Sequence, residues 1–499
     1  MKPKYQANLF LLTGAILMLF SNGRWSNFIP GWIYPVFFLR YMDLKKPLHG
    51  FLILCLTIGV LNYIMWWRMI PVPAIYYFLI TCILLQVVNL SYLADRIMGS
   101  AWNGFPSTLI FPLCYSSLEY LPSIGTSKGT WLILGYSQAS NLAVMQLVSL
   151  TGIWGISFLM CWFASCLHWI WKNDFRWKII RRGTIVFGAI FLGIFLFGSM
   201  RLLVSNPGSK KILTASIVQQ RGLNDSISSC RWTDAAAVGA YSDELEQNLL
   251  DNSKKAADAG AKIILWQEGA GFIPKSKEAL LVARARALAA HEKIYLLMTL
   301  WSIPEDFPAH RVENKLLVID TSGLEALTYI KNYPAPPEPI IKGDGQIPVL
   351  NTRFGVIAPA ICADADYPWF IRQSSKKQVD IMFIPANDWA AIDPLHTYMA
   401  MTRAIENGLT LVRPAGQGLS VAADNSGRVL ASMDFYKTTD QIMYAEVPIQ
   451  RSWTFYGWAG DYLPILCLVI LAFLILRRIL QSNNKENVVL PPQKQFAGG

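Results

Sequence analysis

Eight apolar stretches, separated by short polar and basic clusters, constrain this chain more than any other feature. They lie near residues 8–21, 27–42, 50–67, 73–94, 102–122, 144–171, 184–205 and 461–477. A bilayer core takes roughly 17–25 apolar residues per helix, so each stretch is a candidate membrane span. Backbone groups in hydrocarbon must bond within their own segment, which makes these runs helices. The first two are short, and Ser21–Asn27 between them reads as a tight hairpin. No small-residue cleavage site follows Met1–Phe20, so this segment is expected to be a retained helix and not a leader peptide.

Charge placement gives the orientation. Of 44 Lys+Arg and 33 Asp+Glu, residues 207–452 hold 25 and 27. The excess behind the net charge of +11 therefore lies wholly in the apolar parts. That distribution follows membrane topology and excludes a nucleic-acid footprint. One set of loops carries Lys2, Lys4, Lys45, Lys46, Arg96, Lys172, Arg176, Lys178, Arg181, Arg182, Arg477 and Arg478, while the other carries Arg24, Arg68 and Lys128. Positive charge stays inside, so both termini are expected in the cytoplasm and 207–452 outside. The expected division is a bundle of about seven helices over 1–206, an extracytoplasmic domain over 207–452 and a last span over 453–482. The polar tail 483–499 is expected to be disordered.

Six of the eight cysteines (Cys55, Cys82, Cys114, Cys161, Cys166 and Cys467) fall in these spans and read as small core residues; Cys230 and Cys362 belong to the outer domain. The five histidines are scattered and no Cys-x-x-Cys pair occurs, so neither a metal nor a cofactor is expected. Glu119 is the carboxylate set well inside a span. It faces either a polar space within the bundle or the outer interface.

From Ile212 the texture changes. Short apolar strands (212–219, 263–267, 294–300, 316–319, 354–361, 381–385, 410–412 and 441–447) alternate with amphipathic helices near 234–259, 276–292, 366–376 and 394–407. Such alternation argues an α/β layered domain with a buried sheet. Function in such folds sits where strands end. Three residues meet that condition: Glu268 after Ile-Ile-Leu-Trp-Gln, Lys331 after Thr-Tyr-Ile, and Cys362 after the run from Phe354. Together they suit acyl transfer through a thioester. A carboxylate takes the thiol proton, the thiolate attacks, and a fixed ammonium steadies the oxyanion. Each residue alone also reads as ordinary structure.

These residues sit in segments that resemble the nitrilase, or carbon–nitrogen hydrolase, superfamily. The segments are Trp266-Gln267-Glu268, Tyr329-Ile330-Lys331-Asn332, Gly355 through Cys362, Ile384 through Trp389, and Arg403 through Gly408. The resemblance implies an α-β-β-α sandwich with a Glu-Lys-Cys triad: Glu268 as base, Lys331 as oxyanion stabiliser, Cys362 as nucleophile. The chain as a whole resembles the apolipoprotein N-acyltransferase family, through Gly135-Tyr136-Ser137-Gln138, Gly152-Ile153-Trp154-Gly155, Ile217 through Gln220, and Trp232. That implies a nitrilase-like sandwich inserted in about eight transmembrane helices of a bacterial-type inner membrane. It also implies a phospholipid acyl donor and a lipoprotein, or lipidated peptide, as acceptor through its N-terminal amine. Two departures mark a divergent branch. Ala363-Asp364 stand where the family has Tyr-Glu after its nucleophile, and Pro336-Pro337-Glu338 replaces a Phe-Gly-Glu stretch. By position Glu338 assists the triad and Trp232 lies near the acyl chain, although a structural Trp reads equally well there. Asn387 and Trp389 are further candidates beside the site. Arg403 and Glu406 read as a supporting pair, and His396 is not needed as a base with Glu268 at hand.

Moving an acyl chain from bilayer to water costs about 0.8 kcal/mol per methylene, so a lipid enzyme must keep its thiol near the interface. One helix would anchor a tethered amidase; eight favour a lipid substrate. The alternative is a membrane-bound amidase or nitrilase with water as acceptor. Trp453, Phe455, Tyr456 and Trp458 read as an interfacial belt before the last span.

Overall fold

The structure is a computed structural model and describes residues 3–99, 102, 104–126, 128–204, 210–219, 235–336 and 338–486. Expectations placed on Cys230, Trp232 and the tail beyond 486 lie outside the described residues. Five segments are long and apolar enough to cross a membrane: Pro47–Met65, Ala74–Met98, Ile153–Lys172, Trp177–Val204 and Tyr462–Leu480. Shorter helices occupy the remaining apolar stretches, at Pro3–Leu19, Pro30–Asp43 and Ile110–Gly125. Leu56, Leu192, Leu203, Val469 and Phe473 are all more than half exposed on these helices. A chain carrying that much exposed aliphatic surface needs lipid around it. The protein is a multi-pass membrane protein.

Ile153–Lys172 is the central helix, with most of its length buried. The expected span over 144–171 starts late for a local reason. Two short helical turns, Leu142–Met145 and Val148–Thr151, come first, and Gly152 then turns the chain with φ +65°. A Cβ on Gly152 would come 2.5 Å from the Tyr456 ring, so this close approach suits glycine alone.

Among the described residues the α/β part holds fifteen strands. The first six are β1 (Lys211–Ile217), β2 (Ile263–Trp266), β3 (Gly271–Pro274), β4 (Tyr295–Ile303), β5 (Glu313–Ile319) and β6 (Glu325–Ile330). Then come β7 (Leu350–Thr352), β8 (Gly355–Pro359), β9 (Ile381–Phe383), β10 (Ala386–Asn387), β11 (Thr410–Arg413), β12 (Ala415–Gly416), β13 (Leu419–Ala423), β14 (Val429–Asp434) and β15 (Ile442–Pro448). One mixed sheet runs β15-β1-β2-β4-β5-β6, with β3 also beside β4. The second runs β14-β13-β11-β9-β8-β7, and β10 pairs with β12. In each sheet the central strands are parallel and the edges antiparallel.

Alternation along the strands builds the layers. Ile263 and Leu265 of β2 share one core with Ile381, Phe383 and Leu411 of the opposite sheet. Ile264 and Trp266, between them in sequence, pack in a second core with residues of the helices Ala235–Asp258 and Lys275–Glu292. Leu395–Asn407 borders the second sheet. Its Ala400 and Ala404 join the sandwich core, while Met399 and Ile405 join the bundle core. This is a nitrilase-like layering, helix on sheet on sheet on helix, whose last layer is also the floor on the membrane part.

Polar contacts lock that floor. The buried Arg403 and Glu406 pair at 3.1 Å. Glu406 accepts from the Ile153 N–H at 2.9 Å, and Arg403 donates to the Tyr136 hydroxyl at 2.8 Å. The two bundle motifs around Tyr136 and Ile153 thus serve as docking points for the α/β domain. Trp389 adds a bond from its Nε1 to the Arg68 carbonyl, at 2.9 Å.

Candidate active site

The loops leaving β2, β6 and β8 converge. Glu268, Lys331 and Cys362 are 2%, 0% and 6% exposed. Lys331 Nζ donates to Glu268 Oε1 at 2.8 Å, and Asn314 Nδ2 donates to the same oxygen at 2.8 Å. Glu268 Oε2 accepts from the Asn387 backbone N–H at 2.9 Å, so Asn387 contributes through its main chain. A Cβ on Gly416 would meet the Gln267 amide at 2.5 Å and Asn387 at 2.6 Å, so this β10–β12 corner closes only around glycine.

Glu338 reaches the same ammonium. Its two oxygens accept from Lys331 Nζ at 3.0 and 2.8 Å, and the second also accepts from the Ala335 N–H at 3.1 Å. Burial works against the Lys331 charge, but Glu268 and Glu338 outweigh it and hold its pKa well above the ordinary lysine value. Burial, with Glu268 as like-charged neighbour, raises Glu338 despite Lys331.

Cys362 opens the turn Cys362–Asp366 with φ +49°, a region that a residue with a side chain enters at a cost. Its N–H is tied to the Pro385 carbonyl at 2.9 Å. Burial and the Glu268 charge push the thiol well above its ordinary value, and Lys331 opposes them.

Asp364, part of the Ala-Asp departure, has a defined place. Its Oδ2 accepts from the Tyr329 hydroxyl at 2.5 Å and the Ile361 N–H at 2.9 Å. Its Oδ1 accepts from the N–H groups of Asn332 and Tyr333, at 3.1 and 2.8 Å. One carboxylate thereby bolts the loop that carries Lys331 to the turn that carries Cys362. Burial pushes Asp364 up to about 7.

His396, not needed as a base beside Glu268, nevertheless stands within the site. It is 2% exposed, and its Nδ1 and Nε2 lie 2.6 Å from Asp388 and 3.1 Å from Asp366. Cys362, Asp388 and His396 bring donor atoms within 4.8 Å of one another, a spacing that suits a metal ion. However, Arg413 Nη2 donates to both Asp388 oxygens at 3.2 Å and stands 3.0 Å from His396 Nδ1. A guanidinium among the donors opposes a dication. The only sequence hint was the run Asn387-Asp388-Trp389 with a histidine following on the next helix.

Below the sulfur a cavity of about 470 Å³ opens into the bundle. Cys362, Ala363, Asp366, Trp389, His396 and the Pro334–Pro336 loop line one end, and Tyr34, Ile58, Met65, Leu85 and Tyr92 line the other. Glu119 also lines it, buried, with Oε1 accepting from the Leu134 N–H at 2.9 Å, so its carboxylate faces the interior of the bundle. Trp453 and Trp458 stand 74% and 68% exposed and do not line the cavity.

Comparison with known proteins covers both parts. Residues 234–453 match the family model described as carbon–nitrogen hydrolase. Residues 14–166 match the one described as apolipoprotein N-acyltransferase N-terminal domain. The apolipoprotein N-acyltransferase of Bradyrhizobium diazoefficiens is 26% identical over 72% of this chain and 70% of its own. That of Rickettsia typhi is 21% identical over 84% and 86%. Among solved structures, an amidase from Nesterenkonia sp. AN1 with butyramide is 17% identical over 50% of this chain and 94% of its own, with a TM-score of 0.40. With the membrane-part model and the hydrolase model following each other on one chain, and relatives matched along most of both lengths, the chain belongs to the apolipoprotein N-acyltransferase family of the carbon–nitrogen hydrolase superfamily.

Proposed function

We propose that the protein transfers a fatty acyl chain from a phospholipid, through a thioester on Cys362, to the N-terminal amine of a lipoprotein. Glu268 takes the thiol proton and the sulfur attacks the ester carbonyl. The carbon–oxygen bond breaks, and Glu268 returns the proton to the departing lysophospholipid oxygen. Lys331, held by Glu268 and Glu338, steadies the oxyanion. The acceptor amine then attacks the thioester carbon and loses its proton to Glu268. Breaking the carbon–sulfur bond leaves an amide and a thiolate, which Glu268 reprotonates. Trp389 steadies the cavity mouth through its bond to the Arg68 carbonyl.

The observation that carries this reading is the cavity joining Cys362 to the apolar interior of the bundle. An amidase acting on small soluble amides has no use for such a path. The topology follows the charge pattern: eight spans, with Pro3–Leu19, Pro30–Asp43 and Ile110–Gly125 completing the five long ones, both termini cytoplasmic and 207–452 outside.

Incubation of the purified protein with a phospholipid labelled in its acyl chain tests the reading. The expected result is a hydroxylamine-sensitive label on Cys362, absent from Cys362→Ala, that moves to the amine of an added diacylglyceryl peptide. An unlabelled Cys362 rejects lipid transfer, and turnover of small amides in its place establishes the hydrolase.

A further inference from the structure

Five carboxylates, Glu268, Glu338, Asp364, Asp366 and Asp388, lie around Cys362, with Lys331 and Arg413 as the basic side chains bonded among them. A thiolate formed there adds one more negative charge where little water can spread it. A further cation is within reach. His396 lies between Asp388 and Asp366, its ring centroid 5.3 Å from that of Trp131, and a ring nitrogen comes within 4.8 Å of Cys362 Sγ.

We propose that His396, charged and gripped by Asp388 and Asp366, is a positioning residue that lowers the cost of forming the Cys362 thiolate. The proposal rests on the reading of Cys362 as nucleophile. The groups facing His396 are Asp388 after β10, Asp366 at the end of the Cys362 turn, Arg413 on β11 and Cys362 itself. Glu268, Lys331, Asp388 and Arg413 act on the sulfur. Both imidazole nitrogens are turned to carboxylates, so His396 contributes charge and leaves the thiol proton to Glu268. Burial alone would neutralise the ring. The two aspartates outweigh burial and push it up to about 9, so the charge persists at neutral pH.

Iodoacetamide alkylation of Cys362 in the full-length protein in detergent reads the thiolate without any lipid. The sulfur–carbon bond forms, iodide leaves, and the thiol proton passes to Glu268 and on to buffer; the mass of the Cys362 peptide reports the rate. His396→Gln should react about tenfold more slowly at pH 7, equivalent to about one pKa unit. The gap should close above about pH 9, where the wild-type ring also loses its charge. His396→Lys should restore the rate at pH 7. A rate unchanged at pH 7, or a gap equal at every pH as a purely structural role would give, overturns the proposal. Should His396→Gln not fold, Asp366→Asn loosens the grip and should lag the wild type increasingly from pH 7 towards 9; matching it throughout overturns the proposal as well. Failure of lipid labelling with this alkylation signature intact would reject the transfer reaction and leave the His396 assignment standing.

Discussion

Replacing Lys331 by Met strips the ammonium from between two carboxylates. Lys331 Nζ is 2.8 Å from an oxygen of Glu268 and 2.8 Å from one of Glu338, so those oxygens lie within about 6 Å of each other. At an effective dielectric of about 20, two unit charges at that distance repel by about 3 kcal/mol. Breaking a buried pair by removing one partner costs about 3–5 kcal/mol, in keeping with that repulsion plus the lost bonds. Lys331→Met should therefore unfold about 3–5 kcal/mol more easily in denaturant titrations in detergent. The deficit should shrink in acid, where one carboxylate takes up a proton. Lys331→Met combined with Glu338→Gln removes the repulsion and should recover about half or more of the loss. Neither variant should regain acylation, since loss of an oxyanion donor costs about 10²–10³-fold. Equal instability of the single and double variants, or a single variant as stable as wild type, would refute the view that the ammonium holds the two carboxylates together.

Three further outcomes follow from the geometry. Asp364→Ala removes the acceptor of four bonds and should cost about 2–3 kcal/mol while slowing acylation; a stable variant with normal acylation would mean that the Lys331 loop and the Cys362 turn hold their places unaided. Because His396 is raised to about 9 from 6.5, its contribution is present in full below about pH 6.5 and lost as pH rises through about 9. That loss amounts to about 3 kcal/mol, and a denaturation series across this range should show it in wild type and not in His396→Gln. Gly152→Ala puts a Cβ at positive φ against Tyr456 and should lower stability by about 1–3 kcal/mol, which parallel melts of the two proteins would reveal.

Much of this molecule was legible because its signals are local. Continuous apolar runs mark helices whatever lies around them. Strand and helix periods placed β1, β2, β4 and the helices Ala235–Asp258, Lys275–Glu292 and Leu395–Asn407 within a few residues. Seven strands fall outside the expected ranges: β3, β7, β10 and β12 are only two to four residues long, β6 carries the polar Glu325 and Thr328, and β13 and β14 lie in a stretch rich in Ala, Ser and Gly. The candidate trio stood out since each member closes a strand inside a recognisable segment. That Glu338 shares the Lys331 ammonium, and that Asp364 ties two loops together, depends on how those loops fold back.

What the sequence determined by itself is the kind of protein: apolar runs that only lipid can surround, and one α/β domain inserted before the last of them. What only the tertiary structure decided is which distant groups meet. Glu406 finds the backbone of Ile153, Asp366 finds Trp131, and His396 comes beside Cys362 and Asp388. Period and composition report the environment of a residue along its own strand or helix. Electrostatic partnership depends on separation in space, and the packing of the sandwich onto the bundle sets that separation.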